Sequence, residues 1–365
     1  MTADVLFTPF ECGSLKLANR TVMAPMTRGF SPQGIPGDDV AEYYRKRAEG
    51  GVGLIVTEGT LINHPGAGDN ANYPLFYGEE ALAGWKKVVD TVHAAGGKIA
   101  PQIWHVGATR RAGTGLFPDA TSASPSGLVA KDKKVFEPLT TAEIDQLIQA
   151  YAQAAFDAKQ LGFDAVELHG AHGYLIDQFF WGDTNVRDDK YGGDFVARTR
   201  FAVEIIEAVR ERCGSDFPLI LRWSQWKQQD YTAKLTTTPE DLAKFLGPLS
   251  NAGVDIFHCS QRRFWEPEFD HSPMNLAGWT KEITGKPTIS VGSVGLDQEF
   301  ISSFMGEGAG VANIDQLLEK MSSHEFDLIA IGRALLSNPD WVNKVKNGQF
   351  DQLKPFTQED RSKLV

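Results

Sequence analysis

Residues 164–179 read DAVELHGAHGYLIDQF, and this stretch changes character part of the way along. Residues 164–168 form a short, mostly apolar run, which is typical of a strand buried in a parallel sheet. The residues that follow include His169, His172 and Tyr174, where we expect the strand to give way to a helical turn. Since residues three and four apart lie on one side of a helix, we expect these side chains to lie together. The stretch therefore predicts a strand-to-helix junction that carries polar groups.

An apolar run followed by a longer amphipathic stretch recurs along the whole chain. Most of the runs are rich in Val and Ile, and they lack a strict alternation with polar residues. The predicted strands are residues 21–26, 53–57, 98–104, 164–168, 218–223, 254–259, 287–291 and 327–331. Eight strand–helix pairs in sequence predict an α/β fold, the closed (βα)8 or TIM barrel. An open doubly wound sheet is the alternative, because it also alternates strands with helices.

The stretches between the apolar runs carry signals for the ends of helices. Residues 79–95 have helical spacing and are followed by Gly96, a residue typical of helix C-caps. A long helical stretch begins at Thr141 and is predicted to stop at Gly162. Thr238 followed by Pro239 and two acidic residues has the pattern of a helix N-terminus.

Two segments do not fit the strand–helix repeat. Residues 108–138 are rich in Gly, Pro and Ser, and we expect them to form a cap over the C-terminal face of the barrel. Residues 304–324 are expected to hold an extra helical piece between the seventh and eighth strands. No linker or low-complexity tract interrupts the sequence, so we expect residues 1–365 to form a single domain.

Composition and charge exclude several classes of function. The formal net charge of −11 opposes binding to nucleic acid or to an anionic membrane surface. The three cysteines, Cys12, Cys213 and Cys259, are scattered and lack the spacing of a metal site, so we expect reduced thiols. The N-terminus has no basic and apolar leader pattern. We therefore expect a cytoplasmic protein that acts on small molecules, with neither a nucleic acid nor a membrane as partner.

In a β/α barrel the chemistry takes place at the C-terminal ends of the strands, so the residues there are candidates for the site. The amide of Gln102 can both donate and accept, which suits the edge of a pyrimidine-like ring. Arg222 in an apolar strand needs an anionic or electron-rich partner, or else an internal salt bridge. Thr27 could offer its hydroxyl to a ligand or bond to nearby backbone. Gly59 could admit a flat ligand or form an ordinary turn, and Trp104 could equally be core packing.

The turns after the seventh and eighth strands both contain glycine. Gly292 is followed by Ser293, and Gly332 is followed by Arg333. In these barrels, backbone N–H groups and a helix N-terminus at these two turns commonly hold a phosphate group. Either turn alone is a weak signal, but the pair predicts a phosphate cradle.

The two histidines and Tyr174 admit three interpretations. They could bind an anion or a carbonyl oxygen, with the phenol as a proton donor. They could belong to a metal site, although no third ligand accompanies them at a convincing spacing, so we expect no metal. They could also be a structural pair whose hydrogen bonds are satisfied within the protein.

Taken together, these residues resemble the old yellow enzyme family of flavin oxidoreductases. The resemblance runs from Leu6 to about Lys346. Its most specific pieces are residues 23–28, 102–105, 169–179, 184–193, 331–333 and 338–341. Any one piece could arise by chance, whereas their joint occurrence in this order could hardly do so.

The resemblance implies bound FMN, with NADPH or NADH as the reductant. The residues expected to bind the cofactor are Pro25, Met26, Thr27, Gly59, Gln102, Arg222, Gly292, Ser293, Gly332 and Arg333. Among these, Thr27 would bond the flavin carbonyl and Arg222 would stabilise negative charge on reduced flavin. The residues expected to contact the substrate, an enone or a nitro compound, are His169, His172, Tyr174, Trp104, Phe264 and Trp265.

The resemblance also implies an ene-reductase with a two-step ping-pong reaction. NADPH or NADH reduces the flavin and leaves, and the substrate then binds over the same flavin face. His169 and His172 would polarise the substrate oxygen while hydride reaches the β-carbon, and Tyr174 would protonate the α-carbon. With Thr27, these residues form the expected catalytic set, and the chain could act as a monomer or a homodimer. The alternatives are a non-catalytic or redox-sensing flavin-binding barrel, and a metal-dependent hydrolase or aldolase that uses the histidine pair.

Three loops depart from the family pattern. Gln225 and Trp226 stand where the family usually has proline, and residues 180–182 are bulkier than usual. Residues 261–266 are unusually basic and aromatic. Because these loops shape the mouth of the expected site, the motifs indicate the class of reaction but not the substrate.

Overall fold

The computed structural model describes residues 3–299 and 306–365, and its central feature is a closed barrel of eight parallel strands. In chain order the strands are β1 (Phe10–Cys12), β2 (Leu15–Leu17), β3 (Thr21–Met23), β4 (Leu54–Leu61), β5 (Ile99–Trp104), β6 (Leu128–Ala130), β7 (Lys133–Lys134), β8 (Val166–His172), β9 (Leu219–Lys227), β10 (Ile256–Ser260), β11 (Thr288–Val291) and β12 (Leu328–Ile331). Strands β1 and β2 form one hairpin outside the barrel, and β6 and β7 form another. The barrel closes where Ile331 of β12 pairs with Met23 of β3, which confirms the predicted (βα)8 fold and excludes the open sheet.

The helices follow the barrel strands as the sequence predicts. They are α1 (Asp38–Glu49), α2 (Glu79–Ala94), α3 (Thr141–Leu161), α4 (Leu175–Phe180), α5 (Arg200–Cys213), α6 (Pro239–Ala252), α7 (Leu276–Thr284), α8 (Asp315–Ser322), α9 (Ala334–Ser337) and α10 (Trp341–Lys346). The hydroxyl of Thr238 accepts the N–H of Asp241 at the start of α6, and Gly162 ends α3 in the left-handed conformation, as expected. None of these helices in the described residues is long and apolar enough to cross a membrane.

The end of β8 differs from the sequence prediction. We expected the strand to end at residue 168 and His169 to start a helical turn, but β8 continues to His172 and α4 begins only at Leu175. The reason is that β8 stays paired with β9 beyond the apolar run, as far as His172 opposite Lys227. The pairing slips between Gly170 and His172, so a bulged strand, rather than one side of a helix, presents the two histidines.

Small and branched apolar side chains fill the lower interior of the barrel. Ala100, Ala165, Ile220 and Ile256 belong to one buried cluster there. The hairpin β1–β2 adds Phe10, Leu15 and Leu17 to the same cluster, although the sequence analysis did not predict it. Burying each large apolar side chain contributes about 1.5–3 kcal/mol, so this plug provides a rigid base for the polar groups above it.

The segment of residues 108–138 contains the hairpin β6–β7 and is organised around Arg110. This buried guanidinium donates to the carbonyl oxygens of Gly68, Thr114, Phe117 and Ala120. The position of the segment as a cap over the barrel stays a prediction, as does the extent of a single domain over residues 1–365.

The second segment outside the repeat lies between β11 and β12. Helix α8 occupies Asp315–Ser322 of the expected 304–324 segment, whereas Phe304 and Met305 lie outside the described residues. The three cysteines, Cys12, Cys213 and Cys259, are free thiols.

Candidate active site

The C-terminal ends of the barrel strands open into one large cavity of about 690 Å³. Most of the residues predicted for the site line this cavity. They are Pro25, Met26, Thr27, Gln102, Trp104, His169, His172, Tyr174, Arg222, Gly292, Ser293, Gly332 and Arg333. The fold therefore brings together side chains that lie more than three hundred positions apart in the sequence.

Three predicted site residues do not line the cavity. At Gly59, a Cβ atom would lie 2.5 Å from the indole of Trp104, so the glycine makes room for that ring. Phe264 is buried, packs edge-on against Trp265, and donates its N–H to the carbonyl oxygen of Gly292. This aromatic pair supports the glycine turn from outside the cavity, and direct contacts of Gly59, Phe264 and Trp265 with cofactor or substrate stay predictions.

The aromatic rings at the end of β8 pack against one another inside the cavity. The ring of Tyr174 lies edge-on to Trp104 at 4.9 Å and to His169 at 5.0 Å, measured between ring centres. The rings of His169 and His172 are 5.2 Å apart. His172 has a φ of 66°, in the left-handed region that non-glycine residues rarely adopt, and such backbone strain is often found at functional sites.

His172 is held by three residues that were not predicted as site residues. Its Nε2 lies 2.8 Å from Oγ of Ser260, and its backbone N–H donates to Oγ of Ser224. The indole of Trp226 stacks on the imidazole with ring centres 4.4 Å apart. Trp226 was expected in a loop after the strand, but β9 continues to Lys227 through its pairing with β8, so this residue lies on the strand. The departure from the family pattern was the only sequence signal for it.

Both histidines are neutral at physiological pH. Burial, reinforced by the charge of Arg222, holds the pKa of His169 and of His172 well below the usual value. The N–H of Ala171 points at Nδ1 of His169 at 3.4 Å, which assigns the proton of this ring to Nε2. The pair can therefore offer neutral N–H donors to a ligand oxygen.

Arg222 is a buried cation without a direct counter-ion. Its side chain is 7% exposed, and within residues 3–299 and 306–365 no carboxylate forms an ion pair with it. Its Nε has no hydrogen-bond partner, and Nη2 reaches only Oγ of Ser260 at 3.4 Å. A buried guanidinium without an ion-pair partner is costly, so the internal salt bridge considered from sequence is wrong and an anionic or electron-rich ligand fits better.

The turns after β11 and β12 give their part of the cavity the shape and charge of a phosphate site. At Gly292 a Cβ atom would lie 2.7 Å from the carbonyl oxygen of Gln261, so only glycine lets these turns meet. Burial lowers the pKa of Arg333 to about 10, and its guanidinium donates to the carbonyl oxygens of Gln298 and Glu299. The arginines in the cavity wall are Arg28, Arg111, Arg222, Arg262, Arg333 and Arg361, and Asp69 is the sole acid among the described lining residues. In a chain with a net charge of −11, this concentration of cations favours an anionic ligand.

These groups fit the two ends of a flavin mononucleotide. The Gln102 amide and the unpaired Nε of Arg222 suit the polar edge of the isoalloxazine ring, and the glycine turns with Arg333 suit its phosphate. A β/α barrel with this mouth is that of a flavin-dependent oxidoreductase. Residues 5–352 match the NADH:flavin oxidoreductase / NADH oxidase family, and the chain belongs to this family, as the old yellow enzyme resemblance indicated. Family membership implies FMN as the cofactor.

Several relatives are about one third identical to this chain over the aligned residues. NADH oxidase of Thermoanaerobacter brockii is 33% identical over 360 residues, which cover 96% of this chain but 52% of that protein, so the chain spans about half of its length. The 12-oxophytodienoate reductase 7 of Oryza sativa subsp. japonica is 32% identical, covering 93% of this chain and 87% of the relative. Chanoclavine-I aldehyde reductase of Penicillium roqueforti is 34% identical, covering 98% and 92%.

The fold of this chain is also similar to solved structures. A variant of morphinone reductase in complex with tetrahydroNAD superposes with a TM-score of 0.79 and 30% identity, covering 96% of this chain and 92% of the other. The likeness therefore covers the whole barrel and its mouth rather than a local motif.

Proposed function

We propose that this chain is an ene-reductase that uses NADPH or NADH to reduce the activated C=C bond of α,β-unsaturated carbonyl or nitro compounds. Bound FMN would supply the hydride transfers in a ping-pong sequence, with nicotinamide and substrate using the same cavity in turn. The names of relatives that reduce 12-oxophytodienoate and morphinone support a substrate with a conjugated carbonyl group. The substrate, like the monomeric or homodimeric state, stays a prediction.

The placement of Tyr174 is the observation that carries this proposal. Its phenol oxygen accepts a hydrogen bond from Nε2 of Gln228 at 2.7 Å, which leaves its own O–H free to donate toward the cavity. Burial raises the pKa of Tyr174, so the phenol keeps its proton at neutral pH. A protonated phenol beside the substrate is a general acid for the α-carbon, and such catalysis contributes about 10²–10⁴-fold to the rate.

His169 and His172 would bind the substrate oxygen as neutral donors. For His172, the geometry favours a chain in which Arg222 donates to Ser260 and Ser260 donates to Nε2, which leaves Nδ1–H for the substrate. Each donor aimed at the developing negative charge on that oxygen stabilises the transition state by about 3 kcal/mol. In residues 3–299 and 306–365 no group of three or more His, Cys, Asp or Glu is arranged to hold a metal ion, so this pair has no third ligand there.

Stopped-flow measurement of the Tyr174→Phe variant tests the proposal. The phenol is needed only when the alkene is protonated, so flavin reduction by NAD(P)H should change by less than about tenfold. Oxidation of the reduced enzyme by cyclohexenone should fall by about 10²-fold or more. Nitroalkene reduction should suffer less, because the nitronate product can take its proton from solvent later.

The matched control is Tyr231→Phe, since this phenol stacks on Trp226 and does not line the cavity. Both half-reactions of the control should stay close to wild type. Equal slowing of both half-reactions in Tyr174→Phe would mean that the tyrosine shapes the cavity rather than donating a proton. A flavin that no enone or nitroalkene can oxidise in the wild-type protein would favour a non-catalytic or redox-sensing flavin-binding barrel.

A further inference from the structure

The floor of the cavity is divided into a polar half and an apolar half. Two positions beyond the plug residues Ala100, Ala165, Ile220 and Ile256, the same face of four neighbouring strands is polar. These side chains are Gln102 on β5, Glu167 on β8, Arg222 on β9 and His258 on β10. On β11, β12 and β3 the apolar cluster instead continues upward to Val291, Ala330 and Ala24. Polar side chains in this interior are costly, so the asymmetry needs an explanation.

Glu167 is the centre of the polar half, although it does not line the cavity. Its carboxylate is fully buried, accepts a hydrogen bond from Nε2 of Gln102 at 2.8 Å, and lies 2.6 Å from Nδ1 of His258. Burial lowers the pKa of His258, so this imidazole is neutral and donates its Nδ1–H to the carboxylate. The negative charge of Glu167 is therefore not cancelled by His258.

Arg222 carries the opposite charge in the same layer of the barrel. Its register partner on β10 is His258, and its register partner on β8 is His169. His169 lies two residues after Glu167 on β8. His258, which is bonded to the carboxylate, is the register partner of Arg222, so the two opposite charges lie on either side of one imidazole without a direct ion pair. Opposite charges in the barrel interior attract beyond hydrogen-bond distance, because water and salt screen them less there than at the surface.

We propose that Glu167 is a positioning residue that sets the charge and the orientation of the cavity floor, and through them the reduction potential of bound FMN. The proposal rests on FMN as the cofactor and is independent of the role of Tyr174. By accepting one N–H of Gln102, Glu167 leaves the amide oxygen and the second N–H for the flavin. By partly offsetting Arg222, it keeps the site from favouring the anionic reduced flavin too strongly.

The test is the equilibrium between oxidised and reduced FMN in the Glu167→Gln holoenzyme, measured against a reference dye. Removing the negative charge leaves Arg222 uncompensated, so the equilibrium should shift toward reduced flavin by about tenfold or more, which is about 30 mV for a two-electron couple. An unchanged equilibrium, or a shift toward oxidised flavin, would overturn the proposal. FMN content is measured first, so that two failures can be told apart. A protein that does not bind FMN contains none, whereas a wrong role for Glu167 leaves FMN bound with an unshifted potential.

Two further variants separate charge from structure. Glu167→Asp keeps the charge on a shorter side chain, so its equilibrium should stay within about threefold of wild type; a shift as large as that of Glu167→Gln would contradict an effect of charge. Glu268→Gln is the matched control. Glu268 is also a buried carboxylate, and it accepts a hydrogen bond from the amide of Gln225. Neither Glu268 nor Gln225 lines the cavity. The equilibrium of this control should be that of wild type.

An infrared measurement keeps the proposal testable if Glu167→Gln does not fold. The spectrum of wild-type holoenzyme minus that of Glu167→Asp should contain a positive and a negative carboxylate band, one from the ionised side chain of each protein. A protonated carboxyl band in place of the positive one would overturn the proposal, because a neutral Glu167 could not offset Arg222.

Discussion

His169 and His172 are close neighbours in the cavity, but different contacts hold them. His169 rests against Trp104 and Tyr174, whereas His172 is fixed by Ser260 and by the stacked indole of Trp226. Because both imidazoles are neutral, they can donate to a negatively charged oxygen without first losing or gaining a proton. A phenolate bound over oxidised flavin would offer an oxygen of this kind, and we expect a charge-transfer band to report its binding.

We predict that replacing both His169 and His172 by alanine leaves FMN bound but weakens phenol binding by at least about 100-fold. Hydrogen bonds to a charged group contribute about 1.5–3 kcal/mol each, and the double variant loses two. Titration of the charge-transfer band measures the change. His64→Ala is the control, because His64 contacts His105 and does not line the cavity. An unchanged titration in the double variant would contradict the assignment of the oxygen-binding pair.

Single residues also show where prediction from sequence stops. Gln102 and Arg222 were identified because a polar group at the end of an apolar strand has few structural explanations. Ser260, Gln228 and Glu167 were missed, since each is an ordinary residue until the fold places it beside a site residue. The packing of the Trp104 ring against Gly59 was not predicted either, and the contact of Gly59 with the flavin stays a prediction.

At the scale of secondary-structure elements, the apolar runs predicted all eight barrel strands. They could do so because the central part of each strand is buried on both faces of the sheet. The ends of the strands were less predictable. Strands β8 and β9 continue past the apolar region through pairing with each other, and neither hydrophobic pattern nor local propensity records a pairing between distant segments. The hairpin β1–β2 was missed for a similar reason, because its strands are three residues long and are stabilised by the barrel beneath them.

Glu58 joins two of these elements near the cavity. It lies on β4 with 1% of its surface exposed, and its Oε2 accepts the backbone N–H groups of Arg28 and Gly29, which follow β3 and line the cavity. Burial raises the pKa of Glu58 to about 7 from an ordinary value of 4.5. Because the folded protein binds this proton more tightly than the unfolded chain, the stabilisation is complete below about pH 4.5 and is lost as the pH rises through 7.

We predict that the free energy of unfolding of wild type falls relative to that of Glu58→Gln by about 2–3 kcal/mol between pH 5 and pH 8. The glutamine keeps an acceptor for the two N–H groups but cannot ionise. Urea unfolding at a series of pH values, with the same excess of FMN for both proteins, measures the difference. A difference that does not depend on pH would show that Glu58 stays ionised in the folded protein.

At the scale of the whole molecule, the charges are distributed unevenly. The chain has a net charge of −11, yet its one large described cavity is lined by six arginines and a single carboxylate. Only two of those arginines, Arg222 and Arg333, were predicted from sequence as site residues. Arg28 and Arg262 lie in segments that were singled out but were given no role in binding, and the loops that carry the rest show no motif. The closed barrel brings these loops to one face, and this produces a cationic site that neither composition nor spacing could show.

The central claim is that this cationic mouth binds FMN, and the purified protein tests it most directly. The motivation is the joint presence of Gln102, the unpaired Nε of Arg222 and the glycine turns at Gly292 and Gly332. The protein should be yellow, and denaturation should release about one FMN per chain, quantified by its visible absorbance and fluorescence. A colourless protein that cannot be reconstituted with added FMN would contradict the claim, and with it the ene-reductase mechanism and the role of Glu167.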